Sequence, residues 1–175
     1  MVQGALVAFV DHVREYPGPF TFGVDGNGAL LWLQFDDGDY AEGAAEILMS
    51  GGYQLEADPG RTSQARAELT EYCRGERIVF TITCSVAGTS WQQAVWRAVR
   101  AIPFGETRTY GEIAAGLGRP AAARAMGRAN ATNPVPIVIP CHRVLGANGS
   151  LTGFAGGLHI KRRLLEHETQ VLAAR

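Results

Sequence analysis

Short apolar runs interrupted by turn residues fill the first half of the chain, and apolar residues at helical spacing fill the second. In "TFGVDGNGALLWLQF" two apolar stretches flank Asp25 to Gly28, which predicts strand, glycine-rich turn, strand. "AAEILMSGGYQLE" predicts a helix ended by glycines, then an extended piece. "RTSQARAELTEYCRGERIVFTITCSV" predicts a helix from about Ser63 to Cys73, a stop at Gly75 and a strand from about Ile78 to Val86. Nothing in this half has a catalytic pattern.

In "GTSWQQAVWRAVRAIPFG", Thr89 or Ser90 can cap a helix whose Trp91, Val95, Val99 and Ile102 recur at helical spacing before Pro103. "TYGEIAAGLG" predicts a second helix with Thr109 as cap and Glu112 completing a capping box, closed by Gly116 and Gly118. Pro120 opens a third, "PAAARAMGRANATN". Two short helices joined by a glycine-containing turn outline a helix-turn-helix. The third helix carries Ala121, Ala122, Ala123, Ala125, Gly127 and Ala129, with Arg124, Met126 and Arg128 standing among them. Small residues permit close approach to another surface, and unpaired arginines resist burial, so the expected partner of this helix is DNA rather than the core.

Composition narrows the class. With 46% hydrophobic and 19% charged residues, the 175-residue chain reads as ordinary globular protein, one large domain or two small ones. Met1 to Val10 has no basic segment ahead of its apolar residues, and no apolar stretch is long enough to span a bilayer, so a cytoplasmic protein without membrane association is expected. Cys73, Cys84 and Cys141 form no CxxC pair and cannot all pair with one another, which argues for reduced thiols. Charge is split: residues 1–87 hold 5 Arg against 13 Asp or Glu (−8), and residues 88–175 hold 11 Lys or Arg against 4 Asp or Glu (+7). Either the halves attract each other or the basic half meets a polyanion.

The candidate chemistry lies in "NPVPIVIPCHRVLG", Asn133 to Gly146. Pro134, Pro136 and Pro140 stiffen the β-branched run Ile137 to Ile139, which delivers Cys141 and His142 in one geometry. A thiol attacks only as thiolate, so something must take its proton. Adjacent side chains on an extended segment face apart, and contact between Cys141 and His142 therefore needs a turn or a bridging water. Downstream, "HIKRRLLEHE" predicts an amphipathic helix with Ile160, Leu164 and Leu165 inward, and Glu168 one turn beyond Leu164 is the candidate carboxylate partner for His142. Glu166 and His167 read as surface residues near a fraying end.

"PCHRV" after "NPVPIVI", with "GTSWQQAVWRAVRAIPFGETRTYGEIA", "RAMGRANATNPVP" and "GFAGGL", resembles the O6-alkylguanine-DNA alkyltransferases, also called methylated-DNA-protein-cysteine methyltransferases. The likeness runs from about Gly88 to Glu168, with only traces upstream such as "LTEYCRGERIVF". It implies an α+β protein: a small N-terminal α/β structural domain over 1–87, then a mostly helical, winged helix-turn-helix-like DNA-binding and catalytic domain over 88–175. It implies single-turnover repair, in which O6-alkylguanine, and O4-alkylthymine with it, is flipped from double-stranded DNA and its alkyl group moves to Cys141. By the same resemblance His142 acts through water as base, Glu168 orients it, Tyr110 donates to guanine N3, and Asn133 ties the turn before the active-site strand to the site. Backbone groups at Cys141 and Val144 would read the base edge, with Ala155 and Gly156 also at the substrate. Arg124 would fill the space the base leaves, with Thr109, Ala125, Arg128 and Ala129 also facing DNA across the minor groove.

Two departures stand out. Where some relatives have serine or glycine, Ala155 offers no hydroxyl for O6. Some relatives also hold zinc in the first domain, whereas His12, Cys73 and Cys84 are too few and too scattered, so neither structural zinc nor cofactor is expected. A monomer without a separate methyl-sensing domain is expected. Three other readings stay open: a lesion sensor without chemistry, a helix-turn-helix transcription regulator using Arg124 and Arg128 in the major groove, and a Cys-His hydrolase.

Overall fold

The computed structural model describes residues 6–36, 49 and 51–175. The chain divides into two compact units, Met1–Val86 and Ala87–Arg175. The first is built on a four-stranded sheet of β1 (Leu6–Val13), β2 (Phe20–Val24), β3 (Leu30–Phe35) and β4 (Tyr53–Glu56), in the order β3-β2-β1-β4. β1, β2 and β3 run antiparallel, and β4 joins β1 in parallel. The predicted hairpin is present. Asp25 organises its turn by accepting the backbone N–H groups of Asn27 and Ala29 on one side-chain oxygen, at 2.8 and 3.0 Å.

Helix α1 (Pro59–Cys73) starts four residues ahead of the predicted Ser63. The stronger signal is Asp58-Pro59: the Asp58 side chain accepts the N–H groups of Gly60 and Arg61, and proline tolerates the first helical position. The helix expected over 44–50 lies outside the described residues, apart from Met49, which is helical.

The strand expected from Ile78 to Val86 is not formed; the segment makes only an isolated bridge between Leu30 and Cys84. Its backbone donors are taken elsewhere. The buried Glu68 carboxylate on α1 accepts the N–H of Thr81 at 2.8 Å and of Ile82 at 3.1 Å, together with the Thr81 hydroxyl and the Gln64 amide. A side chain thus satisfies groups that a ladder would otherwise need.

The second unit matches its sequence pattern closely. Helix α2 (Ser90–Arg100) has a complete capping box between Thr89 and Gln92, and buries Val95, Trp96 and Val99. A two-residue strand, β5 (Arg108–Thr109), leads into α3 (Tyr110–Gly116), whose Thr109–Glu112 capping box is also complete. Gly118, at φ 72°, turns the chain as an L side chain rarely can, and a 3₁₀ turn (Pro120–Ala122) then delivers α4 (Ala123–Ala131). A second 3₁₀ turn (Cys141–Arg143) precedes β6 (Val144–Leu145), which pairs in parallel with β5. Helix α5 (Leu158–Ala173) closes the unit. No helix among the described residues is long and apolar enough to cross a membrane.

Glu68 yields the first prediction. Burial alone raises its pKa, but hydrogen bonds from Thr81, Gln64 and Ile82 outweigh that and hold it below the ordinary 4.5. A depressed folded-state pKa means the contribution is complete above about pH 4.5 and is lost as pH falls through the folded value. Glu68→Ala leaves two backbone donors unpaired and should cost about 3 kcal/mol of stability at pH 7, with a smaller difference from wild type near pH 3. Urea unfolding at both pH values reads this out, and equal midpoints at pH 7 would refute it.

Candidate active site

Cys141 is presented by a backbone under constraint. Ile137 has φ 73°, a left-handed conformation that is a true outlier for a β-branched residue and costs on the order of 1–3 kcal/mol. Its surroundings impose it: Ile137 is fully packed, and the Ile139 N–H reaches back to the Val135 carbonyl at 3.0 Å. Asn133 staples both ends, donating to the Ile139 carbonyl at 2.7 Å and accepting the Val135 N–H at 3.0 Å. The apolar run is therefore a wound turn and not a strand. Cys141 and His142 share the 3₁₀ turn that follows, the bend that a neighbouring Cys-His pair requires.

His142 and Glu168 are both completely buried, with Nε2 and Oε1 2.7 Å apart. The same carboxylate accepts Arg143 through Nε at 3.0 Å and Nη2 at 2.9 Å, and the Gly105 N–H at 2.9 Å. Burial alone would raise the Glu168 pKa; the His142 hydrogen bond and the Arg143 charge reverse that and hold it at about 2. Burial pushes His142 below its ordinary value against the pull of Glu168, so the resting pair is carboxylate and neutral imidazole. With Nε2–H assigned as donor to Glu168, Nδ1 is left as acceptor, and it has no partner among the described residues. Gly105 fits this knot twice over: φ is +76°, and a Cβ there would strike Leu172 of α5.

The Cys141 thiol is buried and pushed up to about 11 by desolvation, only partly offset by the Asn133 hydrogen bond and the Lys161 charge. At neutral pH it is a thiol. A base that removes its proton at the moment of reaction is therefore a chemical requirement.

Lys161, Arg143 and Asn130 were not anticipated as site residues. Lys161 is fully buried and donates to the carbonyls of Val144 at 2.6 Å and Thr152 at 2.8 Å; burial lowers its pKa to about 8. Its spacing held a signal, since it stands two helical turns before Glu168 on the same side of α5. Arg143 also donates to the Ile102 carbonyl at 2.6 Å. Asn130 donates to the Cys141 carbonyl at 3.4 Å.

The remaining expected residues divide. The Tyr110 hydroxyl donates to the Thr152 carbonyl at 3.2 Å, and its ring lies over Gly127, where even a Cβ would touch it at 3.5 Å. Ala155 and Gly156 line a cleft with Asn130, Asn133, Cys141 and Phe154. Val144 has a buried side chain, and its carbonyl is held by Lys161. On α4, Arg124 and Arg128 are exposed and Ala125 half-buried, and Thr109 is half-buried at the start of α3. Ala129 does not share that exposed side: it is buried, and the Trp96 indole donates to its carbonyl at 2.9 Å. Met126 likewise faces inward. Glu166 is exposed as expected, but His167 is not a surface residue. The helix runs on to Ala173, so position 167 still shares the buried stripe of Leu164 and Glu168. Among the described residues no group of three or more His, Cys, Asp or Glu side chains is placed to hold a metal ion.

A family model described as "6-O-methylguanine DNA methyltransferase, DNA binding domain" matches residues 90–170. A methylated-DNA–protein-cysteine methyltransferase of Salmonella typhimurium is 49% identical over 152 residues, covering 82% of this chain and 84% of that protein. The protein of that name from Mycobacterium tuberculosis is 53% identical over 111 residues, 63% of this chain and 67% of its own length. In structure, the M. tuberculosis O6-methylguanine methyltransferase superposes with a TM-score of 0.80 at 38% identity, covering 93% of each chain. The same mycobacterial protein in complex with DNA gives 0.79 at 38% identity, covering 93% of this chain and 94% of that one. Likeness of this extent, over both units, makes the chain a member of the methylated-DNA–protein-cysteine methyltransferase family.

Proposed function

We propose that this protein repairs alkylated DNA directly, moving the O6-alkyl group of guanine once and irreversibly onto Cys141. The observation that carries the reading is the buried Cys141-His142-Glu168 arrangement on a constrained turn, in a family whose members are named for this transfer. A saturated alkyl carbon needs a soft nucleophile, and the thiol supplies one once deprotonated. The proton leaves Cys141 for Nδ1 of His142 through one water. Glu168, already ionised, stabilises the imidazolium that results. The S–C bond forms as the C–O6 bond breaks, the electron pair passing to the guanine. In the net reaction the thiol proton ends on the restored guanine and the alkyl group on sulfur. In this reading Tyr110 leaves the Thr152 carbonyl, to which it donates at rest, and donates to N3 of the leaving base.

The basic unit, residues 87–175, is the DNA-binding and transfer domain in this reading, and the acidic unit is structural. Arg124 and Arg128 stand exposed on α4, one turn apart, where one can enter the duplex and both can meet phosphates. The Trp91 and Trp96 indoles hold α4 from behind, donating to the carbonyls of Ala125 and Ala129 at 3.3 and 2.9 Å. A DNA substrate supports a cytoplasmic site of action, one monomer consuming one lesion.

Incubation with a duplex bearing one O6-methylguanine should give a single methyl adduct, capped at one per chain and mapped by peptide mass to Cys141. Cys141→Ala should form none while still binding the duplex. Binding without an adduct in the wild type would make the protein a lesion sensor. Arg124→Ala should slow repair of the duplex on the order of tenfold or more, since opening the stack costs a few kcal/mol, and should slow reaction with free O6-alkylguanine far less. Equal losses on the two substrates would remove Arg124 from that role. Raising salt from 50 to 200 mM should weaken duplex binding by a factor of ten or more, with a shallower slope for Arg128→Ala; a flat response would place the DNA on another face.

A further inference from the structure

The described residues of the second unit bury one arginine and one lysine. Arg143 is matched by the Glu168 carboxylate, whereas Lys161 on α5, with no exposed surface, has no carboxylate partner among them. Its ammonium donates instead to two neutral acceptors, the carbonyls of Val144 at 2.6 Å and Thr152 at 2.8 Å. A buried charge without a counter-charge is costly, and a neutral side chain of the same length would fill the same space. The donor itself therefore calls for a use, and the proton transfer between Cys141 and His142 gives it none.

One of its two acceptors is shared. The Thr152 carbonyl also accepts the Tyr110 hydroxyl, at 3.2 Å, and the Thr152 hydroxyl donates back to the Tyr110 oxygen at 3.4 Å. Both contacts are long for an O–H···O bond, whose usual length is about 2.7–2.8 Å. A carbonyl oxygen has two acceptor positions, and the charge-assisted bond is the stronger of the two. With Lys161 in place, Tyr110 makes the weaker bond to Thr152, and Thr152 keeps a donor when Tyr110 departs. We propose, resting on the alkyltransferase reading in which Tyr110 turns to the leaving base, that Lys161 is a positioning residue: it occupies the Thr152 carbonyl, so that Tyr110 is held loosely at rest and released readily when the base arrives. The other acceptor, the Val144 carbonyl, follows directly on the Cys141–Arg143 turn. One ammonium thereby fixes the resting place of Tyr110 relative to the nucleophile.

The test is a double-mutant cycle in single-turnover methyl transfer from an O6-methylguanine duplex to Cys141. Tyr110→Phe alone should slow transfer. Lys161→Met keeps the length of the side chain and removes its donors. It should slow the protein that has Tyr110 by a factor roughly fivefold larger than the factor by which it slows Tyr110→Phe, the size that one neutral hydrogen bond carries. With tyrosine present, loss of the ammonium leaves the Thr152 carbonyl wholly to the Tyr110 hydroxyl, whereas phenylalanine has no bond to break. If Lys161 merely supports the backbone, the two factors are equal, which overturns the proposal. A larger loss in the Tyr110→Phe background overturns it as well. Should Lys161→Met lose its near-ultraviolet circular dichroism, Lys161→Gln, which is polar but lacks both the charge and the reach, is read by the same cycle. Full activity of Tyr110→Phe would refute the role given to Tyr110, and this inference with it. Failure of the wild type to methylate Cys141 would refute the alkyltransferase reading itself, an outcome distinct from equal factors in the cycle.

Discussion

One buried carboxylate organises the catalytic unit. Glu168 accepts hydrogen bonds from His142, from Arg143 and from the Gly105 backbone, and Arg143 passes on to the Ile102 carbonyl at the end of α2. Helix α5, the reactive turn and the segment leaving α2 are thereby fixed to a single point. A chain lacking Glu168 would strand the Arg143 guanidinium, which is 5% exposed. Breaking a buried pair in that way costs on the order of 3–5 kcal/mol. The group that orients the proposed base is therefore also a principal structural tie.

Local signals in the chain translate directly into local structure. Both capping boxes and the Asp25 hairpin follow from spacing, because each joins residues within one element, and Glu168 is legible as a carboxylate on the buried face of its own helix. Elements that depend on distant partners do not. The β-branched residues from Ile78 to Val86 suit a strand, but Glu68, more than ten positions earlier, has taken the donors of Thr81 and Ile82. The run from Ile137 to Ile139 also suits a strand, yet prolines and the Asn133 staple wind it into a turn. Residue type misleads in the same way at Lys161 and His167. Each is polar enough to suggest solvent, and each is buried on α5, Lys161 between two carbonyls that no sequence window contains.

The small-residue helix α4 shows how one element serves two surfaces. Arg124 and Arg128 project outward, while Met126, Ala129 and Asn130 face inward, and Gly127 leaves room for the Tyr110 ring. The same small side chains that allow approach to a groove let α2 lie close enough for two tryptophan indoles to reach backbone carbonyls. A bulky residue at 127 would press on Tyr110, and one at 129 would press on α2, so close packing and the proposed DNA-facing surface place the same demand on composition.

The state of the thiol completes the account. A cysteine that is consumed by its first reaction gains nothing from standing reactivity. Burial with a pKa of about 11 leaves Cys141 protonated among the small electrophiles and oxidants that a low-pKa thiolate would meet. The neutral His142, with an ionised carboxylate behind it, is the proposed base, and in that role it would take the proton without holding a thiolate in advance. In the proposed reaction, reactivity then appears only when a base places an alkyl carbon against the sulfur. The fold thus controls timing as well as geometry, by holding the nucleophile in its unreactive protonation state until its substrate is in place.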